Sequence, residues 1–259
     1  MKLLIDVGNQ RTKLLDSCRL SKKPDIAPDV VNNDSPRFAE EIGRCLEKIE
    51  LPNSIWISSV SNPVLEQLLS DCVFIRWGLR PEFLKSTQGQ NGVNNHYINP
   101  SQLGVDRWMA IIAARHVCKD NGVIVIDAGT AVTLDYVDVD GGFRGGVIFP
   151  GIQMMQKALN MQAEKITIPS PNSEDIDQRL KMTNTDTQSA VKNGAELAVT
   201  AAIESGINRI LLSWEAMARV VITGGDSKRI MALTDYPIQH HANLVLQGIN
   251  VVAEEVQQA

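Results

Sequence analysis

Short apolar runs that stop at an acidic or small polar residue alternate along this chain with longer stretches where apolar residues recur at helical spacing. Lys2-Leu3-Leu4-Ile5 is a β-like run ending in Asp6-Val7-Gly8-Asn9, and 11–15 resume the pattern after Gly8-Asn9-Gln10. A hairpin whose turn directly follows a carboxylate is therefore expected. In 36–49 the residues Phe38, Ile42, Cys45, Leu46 and Ile49 share one helical face. Residues 54–60 read as a buried strand, Pro63 with Leu65, Leu68 and Leu69 opens a second helix, and 73–77 read as another strand. Strands alternating with helices predict an α/β sheet.

The pattern stops between Leu79 and Gly104, a polar stretch with Gly89, Gly92, several asparagines and Pro100. An irregular segment of that length in a compact domain is usually functional or mobile. Trp108, Ile111, Ile112 and Arg115 then mark a helix over 107–118, and Gly122 ends it. Strands are expected at 123–127, 131–137 and 143–149, with an Asp140-Gly141-Gly142 turn before the last. Helices follow from Pro150-Gly151 to Leu159 and over 187–216. The run 218–222 reads as a strand ending in Thr223-Gly224-Gly225-Asp226, and a closing helix covers 243–256. A strand ending in Asp-x-Gly thus occurs twice, at Asp6 and Asp127, about half the chain apart. This repetition predicts two domains, 1–119 and 120–259.

Composition narrows the picture without changing it. With 44% hydrophobic and 21% charged residues the chain is ordinary for a globular protein. A net charge of −5 argues against broad binding to nucleic acid or anionic membrane. The four cysteines show no Cys-x-x-Cys spacing, so neither zinc nor a disulfide framework is suggested. Asp6 interrupts the apolar start too early for a signal-peptide core, and no run approaches the roughly 20 residues needed to span a bilayer. The expectation is a soluble, cytoplasmic protein with no nucleic acid or membrane partner.

A strand that ends in Asp-x-Gly fixes a carboxylate and then permits a tight turn bringing backbone N–H groups near a ligand, typically phosphate or metal-bound water. Two such ends, with Thr223-Gly224-Gly225-Asp226 on a third strand, suit a nucleotide. Asp6 is the expected holder of a hydrated Mg²⁺, an ion that keeps several waters and takes one or two carboxylates. Asp106 in Gly104-Val105-Asp106-Arg107 lies where the polar stretch becomes a helix. As an N-cap with a solvated arginine it would stabilise the helix by about 1 kcal/mol. As a chemical group it would orient a substrate hydroxyl, with Tyr97 and Asn99 as a wall and Arg107 on an anionic substrate group. Its position at a helix N-terminus predicts a lowered pKa. No Gly-x-x-x-x-Gly-Lys-Ser/Thr loop occurs, and Ser58-Ser59 lacks the Gly-x-Ser-x-Gly elbow of a hydrolase. His116 and His240-His241 lack ligand spacing and read as structural or surface residues.

These residues resemble the type III pantothenate kinases, in the acetate kinase/sugar kinase/Hsp70/actin superfamily. The likeness runs nearly end to end. It covers Asp6-Val7-Gly8-Asn9 with Lys13, Tyr97-Ile98-Asn99-Pro100, and Leu103-Gly104-Val105-Asp106-Arg107-Trp108. It continues through Asp127-Ala128-Gly129-Thr130-Ala131-Val132-Thr133, Gly145-Gly146-Val147-Ile148-Phe149-Pro150-Gly151, Thr187-x-x-Ala190-x-x-x-Gly194 and Thr223-Gly224-Gly225-Asp226 to Asn243-Leu244-Val245-Leu246-x-Gly248. The resemblance implies an α/β fold of duplicated actin-like, ribonuclease H-like domains, each a mixed sheet flanked by helices, with the active site in the cleft between them. It implies ATP-dependent phosphorylation of pantothenate to 4′-phosphopantothenate, the first step of coenzyme A synthesis. Asp6, Val7, Gly8, Asn9, Gln10, Arg11, Thr12 and Lys13 would line the ATP phosphates, with Thr130 also on ATP. Tyr97, Gly104, Val105, Asp106, Arg107 and Thr187 would contact pantothenate, and Asp106 would accept the proton. Asp127 would hold the K⁺ or NH₄⁺ that the family needs beside Mg²⁺. The family is a homodimer whose interface lies in the second half, and the partner subunit completes the pocket at the Thr187 position. Gln10 departs from the Thr or Ser usual there, which puts the details of ATP affinity in question. Another small-molecule kinase or phosphatase of the superfamily, a regulatory accessory protein and an actin-like filament protein are the alternatives.

Overall fold

In the computed structural model, which describes residues 1–162, 180–214 and 217–258, the chain divides into two compact units. One comprises 1–119, 141–144 and 241–259; the other comprises 120–140 and 145–240.

The first unit begins with β1 (Lys2–Val7) and β2 (Arg11–Asp16), an antiparallel pair in which Asp6 faces Lys13 across the ladder. The short helix α1 (Ser17–Lys22) is capped by Asp16, whose Oδ1 accepts the Arg19 N–H at 2.8 Å. Then come β3 (Asp29–Asn32), α2 (Phe38–Glu47), β4 (Ser54–Ser59) and α3 (Pro63–Trp77). With β5 (Glu82–Phe83) the strands form a sheet of order β3-β2-β1-β4-β5, and β4 runs parallel to β1. Side chains alternate across a strand. Leu3, Ile5, Val7, Ile55 and Ile57 therefore join the core under α2 and α3. Leu4, Asp6, Trp56 and Ser58 are left for the opposite face.

Residues 73–77, expected as a strand, are the end of α3. Leu65, Leu69 and Val73 are buried at four-residue spacing, so the apolar run belongs to a helical stripe. The helix continues until Gly78, whose φ of +70° lets its N–H turn back to the Phe74 carbonyl. The polar stretch after it is also more ordered than expected. It holds β6 (Gly89–Gln90), β7 (Val93–Asn95) and a 3₁₀ turn at Pro100–Gln102. Asn91 and Gly92, both at positive φ, make the tight turn of the β6–β7 hairpin. Helix α4 (Val105–Val117) follows.

The second unit repeats the scheme. Its β8 (Gly122–Ala128) pairs antiparallel with β9 (Ala131–Val137), and β10 (Gly142–Pro150) lies beside β9. The first residues of β10 belong to the first unit, where Gly142 and Phe143 pair with Asn94 and Asn95. After α5 (Ile152–Gln162) and α6 (Thr187–Trp214) comes β11 (Ala218–Thr223), parallel to β8. The last two positions of the expected 187–216 helix lie outside the described residues. Helix α7 (Ser227–Met231) leads to β12 (Ile238–His240), parallel to β11. Ile124, Ile126, Val132 and Leu134 of the sheet pack against Val199, Ile203 and Ile207 of α6. In each unit the strand carrying the acid thus pairs antiparallel with its successor and parallel with a later strand.

Helix α8 (Leu244–Gln258) returns to the first unit and packs against α4. A Cβ on Gly248 would stand 1.9 Å from the Met109 carbonyl oxygen, so only glycine permits this approach. Gly248→Ala is expected to destabilise the protein by about 1–3 kcal/mol through overpacking. Thermal denaturation checks this, and an unchanged melting temperature would contradict the packing described.

Candidate active site

Asp6 is 5% exposed at the end of β1. Its Oδ2 lies 3.5 Å from Lys13 Nζ, while Oδ1 is buried with no hydrogen-bond partner among the described residues. Burial raises its pKa above the ordinary 3.8; the Lys13 charge opposes that rise and the Asp106 charge adds to it. The hairpin turn beyond Asp6 closes with Gly8 N–H donating to the Arg11 carbonyl at 3.0 Å. It leaves Asn9, Gln10 and Arg11 exposed, with Val7 and Thr12 buried beneath.

Asn33, which the sequence did not single out, fastens that turn from the neighbouring chain. Its Nδ2 donates to the Gly8 carbonyl at 2.7 Å, its Oδ1 accepts the Thr12 hydroxyl at 2.8 Å, and its N–H donates to the Gln10 carbonyl at 2.9 Å. Thr12 thus spends its hydroxyl holding the loop.

Gly104 is the N-cap of α4, which places Asp106 inside the first turn and not at the cap. The Arg107 N–H donates to Asp106 Oδ1 at 2.7 Å. A Cβ on residue 104 would lie 2.7 Å from that same oxygen, so glycine there leaves room for the carboxylate. The lowered pKa expected for Asp106 is corrected to a raised one. Desolvation by burial is the largest influence, and it outweighs the Arg107 N–H, the Arg107 guanidinium and Lys13. The helix N–H groups do favour the anion here, but less than burial disfavours it.

Arg107 is 8% exposed, and its Nη1 donates to the Tyr97 hydroxyl at 3.0 Å. Tyr97 stacks on Phe143 with ring centroids 5.5 Å apart. The loop carrying Tyr97 is built around Asn95, fully buried and also missed by the sequence reading. Its Oδ1 accepts the Tyr97 N–H, and its Nδ2 donates to the Thr87 and Pro100 carbonyls. Asn99, expected beside Tyr97 as a substrate wall, instead caps the 3₁₀ turn, its Oδ1 accepting from Ser101. Both asparagines look like ordinary turn residues in sequence; only a deeply buried side chain distinguishes Asn95.

The first unit therefore brings Asp6, Lys13 and Asp106 within electrostatic reach of one another, with Arg107 and Tyr97 joined beside Asp106. The second unit holds Asp127 and Thr130. Asp127 is flanked in register by Thr133 on β9 and Thr223 on β11. Three glycine-bearing segments meet at the loop after it. A Cβ on Gly151 would be 2.2 Å from the Gly129 carbonyl oxygen, and one on Gly224 would be 2.3 Å from that of Ala128. The Asp226 N–H donates to the same Ala128 oxygen. His240 takes a structural part, its Nε2 lying 3.0 Å from Ser227 Oγ. Thr187 is the exposed first residue of α6, capped by Asp186. Among the described residues no cluster of three or more His, Cys, Asp or Glu could hold a metal, and no helix is long and apolar enough to cross a membrane.

Solved structures place this arrangement. A Campylobacter jejuni protein described as a conserved putative Baf family transcriptional activator matches with a TM-score of 0.59 at 21% identity, over 99% of this chain and 100% of that one. The Alp12 filament structure matches with a TM-score of 0.52 at 11% identity, over 98% of each chain. At those identities the likeness shows fold alone. With the repeated acid-bearing sheets it defines the class: an α/β protein of duplicated actin-like domains. The profile described as Type III pantothenate kinase matches residues 2–209. Proteins so named from Chromobacterium violaceum and Burkholderia multivorans are 33% and 31% identical, over 98% of this chain and 99% and 96% of theirs. The chain belongs to the type III pantothenate kinase family, phosphotransferases that act on an alcohol acceptor.

The raised Asp106 pKa fixes a sign for stability. A carboxylic acid with a higher pKa folded than unfolded holds its proton better when folded, so stability is lost as pH rises from the unfolded value through the folded one. Above the unfolded value, ionisation of Asp106 is a net cost to the folded state. Asp106→Asn should raise the melting temperature at pH 7, with the gain vanishing below about pH 3.8, where both forms are uncharged. Melting curves at the two pH values check this; a lower melting temperature at pH 7 would contradict it.

Proposed function

We propose that this chain transfers the γ-phosphoryl group of ATP to the hydroxyl of pantothenate, giving 4′-phosphopantothenate, with Asp106 as the proton acceptor. The observation that carries the reading is the Asp106 carboxylate, buried to a raised pKa and electrostatically coupled to Asp6. A raised pKa makes Asp106 a better base than an ordinary carboxylate. Arg107 presents a guanidinium, already steadied by Tyr97, to the pantothenate carboxylate. Gly104, Val105 and Tyr97 form the remaining wall on this side. Thr187, exposed at the start of α6, is supplied by the partner subunit of a homodimer.

The exposed Asn9, Gln10 and Arg11 and the backbone of Val7 and Gly8 face the ATP phosphates, with Lys13 as a fixed positive charge and Thr130 as a further contact. Gln10 reaches a phosphate oxygen through an amide N–H where a hydroxyl would have less far to go. Asp6 holds Mg²⁺ through water. The unpartnered, buried Oδ1 fits that assignment, since a hydrated cation supplies the donors a buried carboxylate lacks. Asp127, with the hydroxyl residues Thr133 and Thr223 beside it in register, would supply oxygen donors of the kind that suit K⁺ or NH₄⁺. When bound, the two ions offset phosphate charge. The net charge of −5 accords with a cytoplasmic enzyme that binds neither nucleic acid nor anionic membrane.

Purified protein should release ADP from ATP only when pantothenate is present, in buffer with Mg²⁺ and NH₄⁺, and replacing NH₄⁺ or K⁺ by Na⁺ should abolish the release. Release that ignores pantothenate would contradict the substrate assignment, and indifference to Na⁺ would contradict the role of Asp127. Asp106→Asn should lower kcat by about 10²–10⁴-fold. In the parent enzyme kcat should fall as acid protonates Asp106, with the limb lying above pH 3.8. Near-wild-type turnover by the variant would remove Asp106 from the proton-accepting role.

A further inference from the structure

Ser58 stands directly opposite Asp6 in the parallel pairing of β1 and β4, and both side chains point to the same face of the sheet. The Ser58 residue is fully buried, and its Oγ has no hydrogen-bond partner among the described residues. Asp6 Oδ1, on the neighbouring strand, is in the same condition. The two atoms do not bond each other, although a serine hydroxyl can donate to a carboxylate. Two adjacent buried polar atoms, both unpaired, are rare in native proteins, where such groups find partners. A common third group is therefore the simplest occupant.

Its chemistry follows from the donor count. An ionised carboxylate only accepts, and a serine oxygen offers two lone pairs besides its O–H. A water whose own lone pair is held by a cation has two hydrogens to give and matches these two acceptors. Ordinary structural packing explains a buried serine poorly, because alanine would fill the same place without desolvating a hydroxyl. The second unit keeps a hydroxyl residue at the corresponding place: Thr223 is in register with Asp127 on its own parallel neighbour.

We infer that Ser58 is a positioning residue for the metal-bound water held by Asp6, accepting one of its hydrogens and so fixing the orientation of the Mg²⁺ shell. The inference rests on the assignment of Asp6 to Mg²⁺ above.

The test uses the full-length protein, Mn²⁺ as a paramagnetic stand-in for Mg²⁺, and a non-hydrolysable ATP analogue. Electron paramagnetic resonance reads Mn²⁺ affinity without turnover. Ser58→Ala should weaken Mn²⁺ binding to the nucleotide complex by about tenfold, the usual effect of removing a partner of a metal's ligands. Its melting temperature should stay level or rise, and its KM for pantothenate should not change. Ser58→Thr, which keeps the hydroxyl, should stay within about twofold of wild type in Mn²⁺ affinity. Unchanged Mn²⁺ affinity in Ser58→Ala would overturn the inference. So would a Ser58→Ala protein that melts far below wild type or does not fold, since the hydroxyl would then be structural. A Ser58→Thr loss equal to that of alanine would assign the effect to packing and overturn it too. If wild type binds Mn²⁺ with the analogue yet leaves pantothenate unphosphorylated, the substrate reading fails while Ser58→Ala still decides this one.

Discussion

The carboxylate of Asp6 is held out of water at the end of β1 with a cation against only one of its oxygens, and much of the first unit is arranged around that condition. A buried charge is costly unless paired and hydrogen-bonded. The β1–β2 register supplies Lys13 to Oδ2, and nothing among the described residues satisfies Oδ1. The turn that follows is fixed by three hydrogen bonds from Asn33, so the loop keeps its shape without help from a ligand. The first turn of α4 adds a second desolvated carboxylate, Asp106, whose charge raises the pKa of Asp6 further. Functional sites commonly tolerate destabilised groups of this kind because the chemistry needs them.

The second unit uses the same strand scheme to different effect. Asp127 also ends a central strand that pairs antiparallel with its successor and parallel with a later one. Around it the close approaches are backbone on backbone, at Gly151 and Gly224, where any side chain would collide. A loop held that way presents main-chain groups, which suits a nucleotide and a weakly held ion better than proton transfer. One duplicated frame therefore carries a carboxylate with an unpartnered buried oxygen in one copy and close backbone approaches at glycines in the other, among the described residues.

Much of this was legible because the signals are local. Asp6-x-Gly8 and Asp127-x-Gly129 end clear apolar runs, and the strands and long helices around them follow period 2 or 3.6. Residues 73–77 misled because Val73, Phe74 and Ile75 favour strands by propensity, whereas the stripe of Leu65, Leu69 and Val73 decides for helix. The Asn91-Gly92 turn was a readable hairpin signal that went unused; the pairing of β7 with β10 depends on distant residues and was not readable. Asn33 and Asn95 act through hydrogen bonds to segments remote in sequence. The Asp106 pKa reversed sign because a helix terminus can be seen in sequence and desolvation cannot.

The fold keeps Asp106 as a desolvated carboxylate with a raised pKa. Its pKa can be followed directly by ¹³C NMR of aspartate-labelled protein, assigned by loss of the signal in Asp106→Asn. The account predicts a midpoint above 3.8 in the ligand-free protein. A midpoint at or below that value would mean that the Arg107 N–H and the neighbouring charges outweigh desolvation, and would contradict a raised pKa.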